Sequence, residues 1–150
     1  MFLIINTSQF NINNIYFSDT ISNSVIDNAL FSKIFFSDDD IIITGVYIKL
    51  DVDYSVVTTE KRCNKCRCTF DTSNYKILIN TIRTIEDKIL SKFSNNTLVK
   101  QHKIYDTIKN GLLHLHILNE DRPKSKELFL KISGVWSNNK ICGITHKFFC

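Results

Sequence analysis

Near its carboxyl end the chain carries residue types that suit stacking on bases and contact with phosphates. Between residues 128 and 136, apolar residues at alternate positions would face a core, while Phe129 and Lys131 would project from the other strand face. A ring beside a cation suits a single-stranded nucleic acid, because every base has a π-face and the backbone is anionic. Trp136 adds a ring at the adjoining turn. A half-buried hairpin in a protein core explains the same alternation without a ligand.

Three closely spaced cysteines suggest a metal site. Cys63, Cys66 and Cys68 have the spacing of thiolates that bind zinc in a turn, and zinc is the one cofactor that the chain suggests. No fourth ligand lies nearby, so the last strand would have to supply one from Cys142, His146 or Cys150. Unliganded thiols are the alternative interpretation. The basic residues around the cluster should lower the pKa values of these thiols and make them reactive.

Basic side chains elsewhere would contact phosphates along the same groove. Tyr47 and Lys49 alternate with apolar residues on an earlier strand and would add a ring and a cation. Two further groups of cations lie around the cysteines and in the segment before the hairpin, where arginine adds bidentate geometry. The first group is Lys61, Arg62, Lys65 and Arg67, and the second is Arg122, Lys124 and Lys126. Solvated loops explain these two groups equally well.

His114 and His116 share one strand face and suggest a metal pair, a general base or simply an exposed strand face. The sequence contains no nucleophile elbow, phosphate-binding loop, His-Glu-x-x-His helix or recognisable pair of catalytic carboxylates. The chain is therefore predicted to be a binding protein and not an enzyme.

Strands and one main helix would position these side chains. The β-branched run at residues 41–57 predicts a long strand with a bend at Gly45, and residues 61–68 predict a basic turn. Apolar residues at helical spacing predict an amphipathic helix over residues 75–93. Strict alternation predicts a strand at residues 113–117, and the final hairpin turns at residues 137–140.

Two segments leave alternatives open: residues 25–36 fit a strand or a short helix, and residues 98–109 fit a short helix or a strand and loop. The order of elements fits a β-rich α+β domain. Within that class it favours an OB-like, five-stranded Greek-key barrel whose helix lies between the third and fourth strands. Residues 1–150 are predicted to form one domain, with residues 38–150 as the OB-like core and residues 1–37 either within it or peripheral to it.

Charge is divided unevenly along the chain, whose formal net charge is +4. Residues 1–60 hold 8 acidic and 2 basic side chains, a net charge of −6, whereas residues 61–150 hold 7 acidic and 17 basic side chains, a net charge of +10. A concentrated positive field favours a polyanion and makes binding depend on salt. The alternative is a folded surface on which the charges interleave. The acidic part would neutralise the basic surface or contact another protein.

The start of the chain lacks a basic region before its short apolar run, and no apolar stretch approaches the roughly 18 residues of a membrane span. Five cysteines, an odd number, argue against a complete disulfide framework and fit a reducing compartment. The sequence therefore predicts a cytoplasmic protein with no secretion signal and no membrane partner.

The carboxyl-terminal hairpin also resembles a known family. Leu-x-Ile-Ser-Gly-Val-Trp at residues 130–136, a polar turn and Gly-Ile-Thr-His-Lys-Phe at residues 143–148 look like the closing strands of small OB-fold single-stranded-DNA-binding proteins. Large DNA viruses and protein-primed linear plasmids encode these proteins, and a chain rich in Asn, Ile, Lys and Phe suits such an AT-rich element. The cysteine cluster and the polar first 37 residues have no counterpart in that family.

The resemblance implies sequence-tolerant coating of single-stranded DNA during replication, with replication-complex proteins and further copies of the chain as possible partners. RNA remains an alternative ligand. The alternative function is a protein-interaction or accessory subunit of a replication or transcription complex, which would use the acidic amino-terminal part and an exposed strand as contacts.

Overall fold

The structure is a computed structural model that describes residues 3–23, 25, 27–117 and 127–150, with the backbone alone for Lys61. Its helices are α1 (Lys76–Ser94) and α2 (Lys103–Lys109), and short 3-10 helices occupy Thr7–Gln9, Ile12–Asn14, Lys61–Cys63 and Thr72–Tyr75. The strands of the described residues are β1 (Ile4–Asn6), β2 (Ile15–Phe17), β3 (Ile21–Ser22), β4 (Leu30–Ser37), β5 (Ile42–Thr44), β6 (Val46–Leu50), β7 (Ser55–Glu60), β8 (Lys65–Thr69), β9 (Val99–Gln101), β10 (Leu112–His116), β11 (Leu128–Ser137) and β12 (Ile141–Phe149).

These strands form one large mixed sheet. Its main path has the order β1-β6-β11-β12-β10-β8-β7, and β4 joins the second half of β11 and carries β2, β3 and β5. The pairs β1–β6, β10–β12 and β9–β12 are parallel, and the remaining pairs are antiparallel. In the described part of the chain β1 and β7 lie at opposite ends of the path and do not pair, so the sheet is open.

The prediction of a five-stranded OB-like barrel is wrong. Twelve strands of the described residues belong to the sheet, and the main helix follows β8 instead of the third strand. The first 37 residues add strands to the sheet through β1 beside β6 and β4 beside β11. These additions widen the sheet, and in the described part of the chain its two end strands do not pair, as a closed barrel requires.

One face of the sheet is covered by the helices. Ile82 and Ile89 of α1 are buried in a core that also contains Ile48, Leu130 and Leu115 from three different strands. The first 37 residues contribute to this same core through Ile5, Ile15, Ile34 and Phe36.

None of the described helices is long and apolar enough to cross a membrane.

Several local predictions are confirmed. The helix expected at residues 75–93 is α1, the strand expected at residues 113–117 is β10, and the final hairpin is formed by β11 and β12. Residues 25–36 end in a strand, β4, and residues 98–109 contain both a strand, β9, and a helix, α2. Hydrophobic periodicity is sufficient for these elements because each is defined by neighbours along the chain.

Two local predictions are wrong. The single strand expected at residues 41–57 is divided into β5, β6 and β7, since Gly45 has φ 78° and residues 51–54 leave the sheet. The bend expected at Gly45 is present. The segment expected to be a basic turn at residues 61–68 is divided between a short 3-10 helix, Lys61–Cys63, and the start of β8, which begins at Lys65 and pairs with both β7 and β10.

Candidate nucleic-acid interface

The sheet face opposite α1 carries aromatic and basic side chains from six strands, and we call it the open face. Residues paired directly across strands project to the same side of a sheet, so the registers define which side chains share this face. Its rings are Phe31, Tyr47, His114, His116, Phe129, Trp136 and Phe149, and its cations are Lys33, Lys49, Lys65, Arg67, Lys131 and Lys147.

One row of the open face crosses five adjacent strands. In order along the row lie Lys49 on β6, Phe129 on β11, Phe149 on β12, His116 on β10 and Lys65 on β8. At the usual spacing between strands this row is about 19 Å wide. Three neighbouring rings therefore lie between a cation at each end, and the three are only partly buried.

A second row extends this surface along the strands. Tyr47 lies beside Lys131, which in turn lies beside Lys147. The Tyr47 and Phe149 ring centroids are 6.2 Å apart, and those of Phe149 and His116 are 5.7 Å apart. The Lys131 ammonium lies 5.5 Å from the centre of the Tyr47 ring. The rings are thus neighbours of one another and of a cation, the combination of side chains found where single strands stack.

Besides Trp136, the structure brings together six of the residues that the sequence nominated. These are Tyr47, Lys49, Lys65, Arg67, Phe129 and Lys131, which come from β6, β8 and β11 and all lie on the open face. Arg62 is exposed in the 3-10 helix that precedes β8. Arg122, Lys124, Lys126 and the side chain of Lys61 lie outside the described residues.

Trp136 lies on the open face but contributes little free surface. A bulge between Ile132 and Gly134 changes the register of β11, so Trp136 pairs with Gly143. A Cβ atom on Gly143 would lie 2.6 Å from the Trp136 ring, so the ring rests directly on that glycine. Trp136 is only 7% exposed, and the Lys103 ammonium lies 5.0 Å from its ring centre.

Sequence reasoning missed several members of the open face. His116 was noted only as half of a histidine pair, and Phe149, Lys147, Phe31 and Lys33 were not nominated. The signal for two of them was present, because Lys147 and Phe149 alternate with buried Phe148 as Lys131 and Phe129 alternate with Leu130. The parallel pairing of β10 with β12, which places His116 beside Phe149, joins segments whose proximity local periodicity does not reveal.

The lysines of the open face surround rings that carry no charge, including His116. Burial, followed by the nearby charges of Lys147 and Lys65, lowers the pKa of His116 below its ordinary value. His116 is therefore mainly neutral at pH 7. Lys49 donates a hydrogen bond to Glu127 at 2.9 Å, which raises the pKa of Lys49. Register places Glu60 beside Lys65, so acidic side chains lie next to the cations at both ends of the row.

The cysteine cluster is divided between solvent and core. Cys63 is exposed, whereas Cys66 and Cys68 of β8 are buried on the helix-covered side. Burial raises the pKa of Cys66 to about 11 and that of Cys68 to about 12, so the expectation of lowered pKa values is wrong for these two thiols. No group of three or more His, Cys, Asp or Glu side chains among the described residues is arranged to hold a metal ion.

Cys63 is expected to react first with a thiol reagent in the folded protein. Its thiol is exposed, while Cys66 and Cys68 are protected by burial and by pKa values that keep them protonated at pH 7. Alkylation at pH 7 followed by peptide mass spectrometry should show rapid modification of Cys63 and modification of the other two only after denaturation. Equal rates for Cys63 and Cys68 in the folded state would contradict the placement of β8.

The open face can therefore stack unpaired bases on adjacent rings while the surrounding cations contact phosphates.

Comparison with known proteins found no matching family model, no matching curated protein and no matching solved structure.

Proposed function

We propose that this protein binds single-stranded nucleic acid on the open face. The observation that carries the proposal is the row of Lys49, Phe129, Phe149, His116 and Lys65 across five strands of a sheet whose other face is covered. Bases would stack on the rings, and the ammonium and guanidinium groups would neutralise phosphates. Each stacked base contributes roughly 1–3 kcal/mol, so a few rings are sufficient for useful affinity.

A single strand fits this surface better than a duplex does. The bases of a duplex are already stacked on one another, so their faces are not free for Tyr47 or Phe149. Stacking accepts any base, and sequence preference should therefore be weak. The ligand class is an unpaired strand of DNA or RNA, recognised by its base faces and its phosphates.

A second candidate function, a protein-interaction or accessory subunit, is favoured by β7. All six residues of β7 are exposed, and Val56 and Val57 are 47% and 58% exposed. In the described sheet β7 pairs only with β8, so its other edge offers backbone hydrogen-bonding groups to an added strand. This function would not require affinity for nucleic acid.

Fluorescence anisotropy tests the first function by measuring how tightly the protein binds a labelled single strand of about 30 nucleotides. We expect preferential binding to single-stranded DNA or RNA over duplex DNA, with affinity that falls steeply as salt increases. Lys131→Ala should weaken binding at low salt and reduce the slope of log K against log salt by about 0.7, because one phosphate contact is lost.

Lys88→Ala is the matched control, since Lys88 is exposed on α1 and lies away from the open face. It removes the same charge and should leave the salt slope unchanged. Equal effects of the two substitutions would mean that only net charge matters and would contradict a site on the open face. Absence of binding at low salt would exclude the first function and favour the role of β7 as a protein contact.

A further inference from the structure

A second basic surface lies between the two helices, and we call it the α2 groove. It is a cavity of about 550 Å³ next to the sheet, and its lining includes four cations, one histidine and one ring. These residues are Arg83, Lys100, His102, Lys103, Tyr105 and Lys109. They combine the same side-chain chemistry as the open face.

Tyr105 lies between two of these cations. The Arg83 guanidinium carbon is 5.0 Å from the centre of the Tyr105 ring, and the Lys109 ammonium is 5.2 Å from it. Lys109 also pairs with Asp106 at 2.9 Å, while the other aspartate nearby, Asp87, pairs with Lys100 and His102.

Two cations of the groove are not neutralised by an acidic side chain of the described residues. Within the described part of the chain, neither Arg83 nor Lys103 takes part in an ion pair. Both are exposed. A phosphate that enters the groove would meet two cations that have no competing carboxylate to displace.

Lys103 connects the α2 groove with the open face. Its ammonium lies 5.0 Å from the centre of the Trp136 ring, and the same side chain lines the groove. The strand before α2, β9, pairs with the beginning of β12, where Gly143 lies against the Trp136 ring. Lys103 thus contacts a ring of the open face and lines the same groove as Arg83.

We infer that the α2 groove is a second contact for the strand that occupies the open face. Phosphates beyond Trp136 contact Lys103 and Arg83, and a base stacks on Tyr105. This inference rests on the proposed function and extends it, because it makes the substrate a strand long enough to cover both surfaces. Short oligonucleotides occupy the open face alone.

The test compares labelled single-stranded DNA of about 6 and about 20 nucleotides on the natural protein and on the double variant Arg83→Ala/Tyr105→Ala. We expect roughly a tenfold loss of affinity for the longer strand, because one phosphate contact and one stacking contact are removed. Affinity for the shorter strand should change less than twofold. Thermal unfolding checks that the variant remains folded, and Lys88→Ala again controls for net charge.

Each outcome decides between interpretations. An equal effect on both lengths, or no effect on either, overturns the inference while the proposed function stands. Failure of the natural protein to bind either length removes the proposed function itself. Direct binding of inorganic phosphate or of an acidic peptide that is lost in the double variant, while the affinity for the longer strand stays unchanged, assigns the groove to a separate anionic ligand and also overturns the inference.

Discussion

The double variant Tyr47→Ala/Phe149→Ala is expected to lose about 2–4 kcal/mol of binding free energy for single-stranded DNA, roughly 30-fold to 700-fold in Kd. The two rings are neighbours on the open face, with centroids 6.2 Å apart. Their contribution comes from stacking and not from charge. Fluorescence anisotropy should therefore show the loss at both low and high salt, with an unchanged salt slope.

Tyr16→Ala provides the matched control for this prediction. Tyr16 is 52% exposed and lies beside Lys92 of α1, whose ammonium is 5.0 Å from its ring centre. Its removal takes away a ring that is more exposed than Tyr47 or Phe149 and that contacts a cation of α1 instead of the Tyr47–Phe149–His116 group. Phe149→Tyr keeps a ring at its position and should restore most of the affinity. If Tyr16→Ala weakened binding as much as the double variant, nonspecific ring burial would explain the data and the open face would lose its role.

Part of the open face follows from local pattern alone. Tyr47 and Lys49 alternate with Ile48 on β6, and Phe129 and Lys131 alternate with Leu130 on β11. A strand places alternate residues on opposite faces, so these pairs could be assigned to an outer face without knowledge of the fold. For the same reason the helical spacing of apolar residues was sufficient to predict α1.

The assembly of those pairs into one surface could not be predicted in this way. Phe149 meets His116 only because β12 and β10 run parallel, and the residues of these two strands are separated by a long stretch of chain. The width of the sheet depends on β1 and β4, which pair with distant strands. Pairing over such distances is determined by how the whole core packs, so the same local elements were compatible with a closed barrel.

The predictions of reactive thiols at Cys66 and Cys68 and of a stacking role for Trp136 were wrong for a related reason. Charged neighbours in the sequence suggested reactive thiols at Cys66 and Cys68, but strand alternation sends those charges to the open face and the thiols to the core. Trp136 was nominated as a stacking ring, yet the bulge in β11 and the absence of a side chain at Gly143 allow it to settle against the sheet. In each case burial determined the property of the side chain, the pKa of the thiols and the free surface of the Trp136 ring, and burial is difficult to predict from the order of residues along the chain.

Glu86→Ala is expected to lower the free energy of unfolding by about 2–4 kcal/mol. Glu86 is fully buried on α1, and its two carboxylate oxygens accept hydrogen bonds of 3.0 Å from the backbone N–H groups of Ile104 and Tyr105. Alanine would leave both donors at the start of α2 without a partner. Urea unfolding measures the change, and Lys88→Ala, on the exposed side of the same helix, should change stability by less than about 0.5 kcal/mol.

The pH dependence of stability distinguishes the charge of Glu86 from its hydrogen bonds. Burial raises the pKa of Glu86 above its ordinary value of 4.5, although the N–H groups of Tyr105 and Ile104 act in the opposite direction. The folded protein therefore binds this proton more tightly than the unfolded chain does. The contribution of Glu86 to stability then falls as pH rises from about 4.5 through the raised pKa. Glu86→Gln cannot titrate and should flatten that part of the profile, whereas an identical slope in both proteins would mean that other groups govern it.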